Sequence, residues 1–168
     1  QVRRSIGDNS LLSVTVLPDW TPLDADIPMS SRIAPGSAWS EQYKQRIGLK
    51  QVDQIVIRAY DSYMTSTDNY TPEDYSEWVA YQVKTYTQAI NALEINTEII
   101  IGISTSDNIV FARDTQIENI SSAIRGIQQG LLSLGDDQGA LVQGIAISNW
   151  ESTNDIEWAQ IKDNWTDK

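Results

Sequence analysis

The chain contains no cysteine and no histidine. These absences exclude disulfide bonds, thiolate nucleophiles, imidazole bases and most zinc sites. Any acid–base chemistry therefore has to use carboxylates, tyrosine or lysine. We accordingly expect no cofactor and no catalytic transition metal, whereas the carboxylate oxygens leave a calcium site open.

Long apolar runs and basic residues are also scarce. No stretch approaches the length of about 20 apolar residues that a membrane span needs, so none is expected. The chain has 12 basic residues against 23 acidic ones, which gives a formal net charge of −11. A protein of this charge repels nucleic-acid phosphates and anionic lipids. Neutral polymers and cations remain as partner classes, and nucleic acid is not an expected partner.

The residues that are present alternate between apolar strands and amphipathic helices. With 168 residues, the chain suits one domain or a large part of one. Strands are predicted over residues 11–17, 53–60, 97–104 and 142–150. Helices are predicted from Ser37 or Ser40 to Ile47, from Thr71 to about Leu93, from Thr115 to Leu134 and from Asn154 to Trp165. This alternation indicates an α/β fold with a parallel sheet, whose strand-to-helix loops all lie at one end.

Polar and aromatic side chains follow each predicted strand. They are Asp19 and Trp20 after the first, Tyr60, Asp61 and Tyr63 after the second, Ser104, Ser106 and Asp107 after the third, and Asn149, Trp150 and Glu151 after the fourth. Ligands bind at the carboxyl ends of the strands in parallel α/β folds. Aromatic rings stack on the C–H faces of sugars, and carboxylates accept hydroxyl hydrogen bonds or act as acids and bases. The pattern therefore predicts a saccharide-binding edge of the sheet.

Each of these residues also has a purely structural interpretation. Asp is common in turns, and Trp and Tyr at strand ends can cover a core. Arg58 lies on the same face of its strand as Tyr60, because side chains alternate between faces. A buried arginine needs a partner, which Asp61 or another acid at this edge would supply. A structural ion pair inside a barrel fits the sequence as well as a ligand contact does.

The strands and their ends resemble the C-terminal half of a (β/α)8 barrel of the chitinase type, glycoside hydrolase family 18. The segment RAYD, residues 58–61, stands where the family has Met-x-Tyr-Asp on its sixth strand, and it keeps Tyr and Asp. In IIIGIS, Gly102 is kept and Ser104 stands where proline is common on the seventh strand. In GIAISNWES, Trp150 matches the tryptophan beneath the bound sugar on the eighth strand. SVTVLPDW, residues 13–20, looks like the fifth strand.

The resemblance implies that residues 1–168 form the C-terminal (βα)4 portion of one barrel domain, completed by upstream strands or a second chain. The family's catalytic signature, Asp-x-x-Asp-x-Asp-x-Glu on the fourth strand, does not occur here, so the catalytic acid would come from elsewhere. In the family, the substrate's own acetamide group attacks as the nucleophile, and the matching Tyr and Asp support the intermediate that this attack forms. The resemblance therefore makes Tyr60 and Asp61 the candidate catalytic residues. The candidate substrate-binding residues are Trp150, Glu151, Asp19, Trp20, Tyr63 and Arg58. The implied location is extracellular or at the cell surface.

Three function hypotheses follow from these observations. The chain is half of a glycoside hydrolase for neutral or N-acetylated polysaccharide, or part of a hydrolase-like barrel that holds a glycan without cleaving it. The third hypothesis is a structural part of a cell-surface assembly. The fold alone does not decide among them, because barrels host many chemistries.

Overall fold

The computed structural model describes residues 2–7, 9–20, 26–34, 39–49, 52–105 and 113–165. Its helices are α1 (Val2–Ile6), α2 (Glu41–Gly48), α3 (Pro72–Asn91), α4 (Ile120–Leu134), α5 (Asp136–Gly139) and α6 (Asp155–Trp165). Its strands are β1 (Ser13–Val16), β2 (Gln54–Arg58), β3 (Glu98–Ser104) and β4 (Val142–Ser148). Single turns of 3-10 helix lie at Ser66–Asp68 and Trp150–Ser152.

The four strands form one parallel sheet in the order β1-β2-β3-β4. One row of the sheet runs from Val16 to Ile57, Ile101 and Ile145. Helices α2, α3, α4 and α6 contact one another in that order, which places them on the same side of the sheet. The predicted α/β class is confirmed, and a parallel four-stranded sheet with its helices on one side is the arrangement of a (βα)4 half-barrel.

The two faces of the sheet differ in burial. Ile57 and Ile101 point towards the helices and are fully buried. Val56, Arg58 and Ile100 alternate with these residues on the opposite face and are only partly buried. We call this second surface the open face. All-parallel sheets are normally covered on both sides. In a complete barrel the helices lie outside, so the open face would line the interior.

Side-chain caps determine where the helices begin. The Thr71 hydroxyl accepts a hydrogen bond from the Asp74 N–H at 3.2 Å, and the Asp74 carboxylate accepts one from the Thr71 N–H at 2.7 Å. The Asn154 side chain accepts from the N–H groups of Ile156 and Glu157, both at 3.0 Å. Both predicted caps are confirmed, and each satisfies donors that the first helical turn leaves unpaired.

One predicted helix boundary was wrong. Helix α4 begins at Ile120 and not at Thr115, because residues 115–117 form a turn. Asn119 is the cap, and its side chain accepts from the Ser122 N–H at 3.1 Å. The strands were also predicted too long, by one or two residues at one or both ends.

Helices α3 and α4 approach closely because α4 carries glycine at the contact. A Cβ atom on Gly126 would lie 2.7 Å from Cβ of Val79 and closer still to the carbonyl oxygen of Ser76. Gly126→Ala should therefore lower the free energy of unfolding by about 2–3 kcal/mol, since backbone atoms cannot move aside easily. Gly139→Ala is the control, because its nearest neighbour is an ordinary 3.5 Å contact with Leu131. Chemical denaturation compares the two, and equal stabilities would contradict the close packing.

Candidate functional site

The loop after β2 leaves the sheet from a fixed point. The Ala59 N–H donates to the Gly102 carbonyl oxygen at 2.9 Å. The Tyr75 hydroxyl of α3 donates to the Ala59 carbonyl oxygen at 2.6 Å, and both side chains are fully buried. The residues that follow Ala59 are therefore held in a defined direction at the carboxyl end of the sheet.

Arg58 connects the side chains of this loop. Its Nη2 atom donates to Asp61 Oδ2 at 2.8 Å, and its guanidinium carbon lies 4.8 Å from the centre of the Tyr60 ring. The side chains of Arg58 and Asp61 are 35% and 28% exposed. Arg58 and Asp61 therefore form an ion pair, as the structural interpretation of the sequence predicted. Both side chains are also exposed enough for a ligand to contact them.

Tyr60 lies across the neighbouring strand at a glycine. A Cβ atom on Gly102 would lie 3.3 Å from Cε1 of Tyr60, so the missing side chain lets the ring approach β3. Arg58 pairs with Gly102, and Ser104 pairs with Ser148. Tyr60 comes two residues after the end of β2, so it lies at the same end of the sheet as Ser104 and Ser148, the last residues of β3 and β4. We call residues 58–63, 104–105 and 148–152 the carboxyl rim.

Trp150 and Glu151 lie in the 3-10 turn after β4. Asn149 has a positive φ of 58°, which turns the chain out of the strand. The Ser152 hydroxyl lies 3.1 Å from that of Thr105, so the turn is tied to the end of β3. Glu151 is exposed, and Trp150 is 63% exposed. The Trp150 ring is thus presented to solvent and does not pack into the core of this chain.

Asp19 lies on the helix side of the sheet, away from the open face. Its carboxylate forms an ion pair with Lys44 of α2 and accepts from the Trp39 N–H at 3.0 Å. The Gln82 amide of α3 bonds both the N–H and the carbonyl oxygen of Asp19, at 2.7 and 2.6 Å. Asp19 is only 1% exposed. These contacts tie the loop after β1 to two helices, and they do not bring Asp19 together with Tyr60.

Trp20 makes a ring contact within the chain, and Tyr63 is held through its backbone carbonyl oxygen, which accepts from the Ser30 hydroxyl at 2.7 Å. The Trp20 ring stacks on fully buried Trp78 with ring centres 5.6 Å apart. Tyr63 is partly buried and has a positive φ of 59°. The predicted Ser106 and Asp107 lie outside the described residues.

Glu118, which the sequence analysis missed, holds the loop after β2 from within. Its Oε1 atom accepts from the Asp61 N–H at 2.9 Å, and its Oε2 atom accepts from the N–H and the hydroxyl of Ser62, both at 2.9 Å. Asp61 and Tyr63 flank Ser62 with φ angles of 58° and 59°. This left-handed conformation costs a non-glycine residue roughly 1 kcal/mol or more, which the carboxylate contacts offset. In the sequence, Glu118 falls inside the helix predicted from Thr115, and no local pattern marks it as a partner of the loop after β2.

The surroundings of Glu118 set its charge. Burial raises the pKa of Glu118 to about 7, against the opposing effects of hydrogen bonds from Ser62 and Asp61 and of the positive charge of Arg113. Burial also raises the pKa of nearby Tyr75 well above its ordinary value, and the charge of Glu118 adds to this. Glu118 therefore changes its charge near neutral pH.

A separate groove of about 1000 Å³ lies at the amino end of β4. Its apolar lining includes Leu131, Leu132, Val142 and Trp165. The groove is at the opposite end of the strand from Trp150, so it is not part of the carboxyl rim.

Comparison of the chain with protein-family models, with curated proteins and with solved structures found no match. No helix within the described ranges is long and apolar enough to cross a membrane. The same ranges contain no group of three or more potential metal-ligating side chains placed to hold an ion. The function has to be argued from the geometry of the rim.

Proposed function

We propose that the carboxyl rim binds a neutral or N-acetylated saccharide as part of a glycoside hydrolase-like barrel of the chitinase type. The observation that carries the proposal is the arrangement of Arg58, Tyr60 and Asp61. The guanidinium contacts both the phenol ring and the carboxylate, and all three groups remain partly open to solvent. Together they offer donors, acceptors and a ring face, which suits hydroxyl and acetamide groups.

The charge of the chain supports a neutral ligand. A net charge of −11 repels acidic polysaccharides and phosphates. The positive charge of Arg58 at the rim is already paired with Asp61, so it does not form a separate anion site. A saccharide without charge avoids the repulsion and can use both members of the pair. An extracellular or cell-surface location belongs to the same proposal.

Of the described carboxylates at or beneath the rim, Asp61 and Glu118 are engaged within the chain and Glu151 alone is exposed, which favours binding over cleavage by this chain alone. Glycosidases normally use two carboxyl groups that flank the scissile bond. Asp61 is paired with Arg58, and Glu118 directs both its oxygens to Ser62 and the backbone. In a complete hydrolase, a further segment would supply the acid, while Tyr60 would donate its hydroxyl to the developing charge.

Trp150→Ala should weaken saccharide binding by about 5- to 150-fold, because an exposed indole that stacks under a sugar ring contributes roughly 1–3 kcal/mol. Its stability should hardly change, since the ring is 63% exposed. Trp158→Ala is the matched control, because Trp158 is 43% exposed and lies on α6, outside the residues that define the rim. Calorimetric titration with a tetramer of N-acetylglucosamine measures both variants.

The expected result is a loss of affinity in the first variant alone. Unchanged affinity in a folded Trp150→Ala protein would contradict a stacking role. Equal losses in both variants would show that exposed tryptophans bind the sugar without a defined site. A parallel titration with a cellulose oligosaccharide tests whether the acetamide groups matter.

The proposal includes a second polypeptide segment that completes the barrel. β1 and β4 are the outer strands of the sheet, and their outward edges pair with no other described strand. Open strand edges tend to pair with other strands, and a barrel of this kind needs eight. We propose that a further (βα)4 segment, from the same gene or from a second copy of this chain, covers the edges and the open face.

Sedimentation velocity tests this partner prediction on the 18.8 kDa chain. The isolated chain should self-associate, and Leu17→Lys at the end of β1 should reduce the association, because Leu17 is 50% exposed there. Leu49→Lys is the control, since Leu49 is 61% exposed and lies directly after α2, outside the strands. A stable, folded monomer of the unmodified chain would contradict the prediction. Stable polymers that bind no saccharide would favour the structural assembly protein instead.

A further inference from the structure

Glu118 is a buried acid beneath the rim that no proposed saccharide contact uses. It lies before α4, whereas the residues that it bonds belong to the loop after β2. Both oxygens of its carboxylate face Asp61 and Ser62, and its exposed fraction is 0%. The contact therefore joins two neighbouring loops at the carboxyl end of the sheet.

We propose that Glu118 is a positioning residue for the saccharide site: its ionised carboxylate fixes the backbone of Asp61, and thereby the directions of the Tyr60 and Asp61 side chains. The inference rests on the proposed function of the rim. Glu118 would not touch the saccharide itself.

The ionised and protonated forms of Glu118 differ in the hydrogen bonds that they can form. A carboxylate only accepts, and here it meets three donors, the N–H groups of Asp61 and Ser62 and the Ser62 hydroxyl. A protonated carboxyl group brings a donor of its own into this set and loses the charge that strengthens the three contacts, so they weaken. The loop then loses support where Asp61 and Tyr63 have left-handed backbone angles.

Within the described ranges, three charged or titratable groups from different elements face Glu118. Arg113, from the segment before α4, favours the ionised form, and Asp61 in the neighbouring loop carries a like charge. Tyr75 of α3 lies close to the same charges. Because burial opposes the effect of Arg113 and of the hydrogen bonds, the pKa of Glu118 lies near neutral pH. The strength of the hydrogen bonds between Glu118 and the loop after β2 therefore changes with pH near neutrality.

The positioning role makes saccharide affinity rise with pH. Between pH 5.5 and 8.5 Glu118 becomes ionised, the three contacts strengthen, and the affinity should increase by about tenfold. A raised pKa in the folded state has the opposite effect on stability, which falls as pH increases. The two profiles therefore run in opposite directions, which a purely structural role of Glu118 would not produce.

The test compares the unmodified protein with Glu118→Gln and with Glu157→Gln. Glu157 is the control because it is another buried acid, 5% exposed, which accepts from the Asn154 N–H in α6. Two quantities are followed from pH 5.5 to 8.5: the amide NMR shifts of Asp61 and Ser62, and the affinity for the N-acetylglucosamine tetramer. In the unmodified protein and the control, the shifts should titrate near pH 7 and the affinity should rise.

In Glu118→Gln both profiles should be flat, with an affinity about tenfold below that of the unmodified protein at pH 8.5. Ser62→Ala removes the hydroxyl contact with Glu118, together with a longer contact of 3.4 Å from the Met64 N–H, and keeps both backbone contacts of Glu118. It should give an intermediate loss, which keeps the test decisive if Glu118→Gln does not fold. Amide shifts of Asp61 and Ser62 that ignore pH would overturn the inference, and so would undiminished affinity in folded Glu118→Gln. Absence of binding by the unmodified protein at every pH would overturn the proposed function instead, while the amide shifts still report whether Glu118 holds the loop.

Discussion

Replacing Lys44 with methionine should lower the free energy of unfolding by about 3–5 kcal/mol, because it leaves the carboxylate of Asp19 buried without its cation. Lys44 and Asp19 are 4% and 1% exposed, so water cannot replace the lost partner. The Lys44 ammonium group also bonds the Thr85 hydroxyl and lies 5.5 Å from the centre of the Tyr86 ring. Urea denaturation measures the loss.

The exposed pair of Arg125 and Glu73 provides the matched control for Lys44. Their side chains are 50% and 51% exposed. Arg125→Met should therefore change the stability by no more than about 1 kcal/mol, since solvent screens an exposed pair. The double variant Lys44→Met, Asp19→Leu should recover much of the loss, because it removes the buried charge as well. A small effect of Lys44→Met alone would show that Asp19 is not enclosed as described.

Between pH 5 and pH 8, Glu118 should lower the free energy of unfolding by about 2–3 kcal/mol as the pH rises. Its pKa is raised from the ordinary value of 4.5 to about 7 in the folded protein, chiefly by burial. A raised pKa in the folded state means that the folded protein holds the proton more tightly than the unfolded chain. The contribution to stability is therefore complete below about pH 4.5 and is lost as the pH rises through 7.

Thermal or urea unfolding at a series of pH values measures this slope. Glu118→Gln should flatten it by the amount that Glu118 contributes. Glu73→Gln should leave the slope between pH 5 and 8 unchanged. The pKa of Glu73 is lowered, mainly by its hydrogen bond with Arg125, so its contribution is lost only as the pH falls below that window. Equal slopes in the unmodified protein and Glu118→Gln would contradict a neutral-range pKa for Glu118.

The fold was accessible from the sequence because its signals are local. Short, nearly continuous apolar runs predicted the strands. Capping residues such as Thr71 and Asn154 predicted where helices begin. The start of α4 was missed because apolar periodicity extended back to Ile117, which is buried in the turn before the cap. A periodic pattern reports burial, and it does not distinguish a helix from a packed turn that precedes one.

The candidate site was only partly accessible, because its geometry depends on contacts between distant segments. Position after a strand predicted that Asp19 and Asp61 would lie at one edge. Only the fold shows that Lys44 and Gln82 draw Asp19 to the helix side. Glu118 bonds a residue 57 positions earlier in the chain, and no local pattern indicates such a pairing.

The most direct measurement of the central claim is amide chemical-shift mapping of the unmodified protein with the N-acetylglucosamine tetramer. Binding at the carboxyl rim predicts saturable shifts at residues 58–63 and 148–152. Asp19, and the groove lined by Leu131 and Trp165, should show no comparable change. Shifts centred on that groove or on Asp19, or no shifts at saturating saccharide, would contradict the claim that the carboxyl rim is a saccharide-binding site.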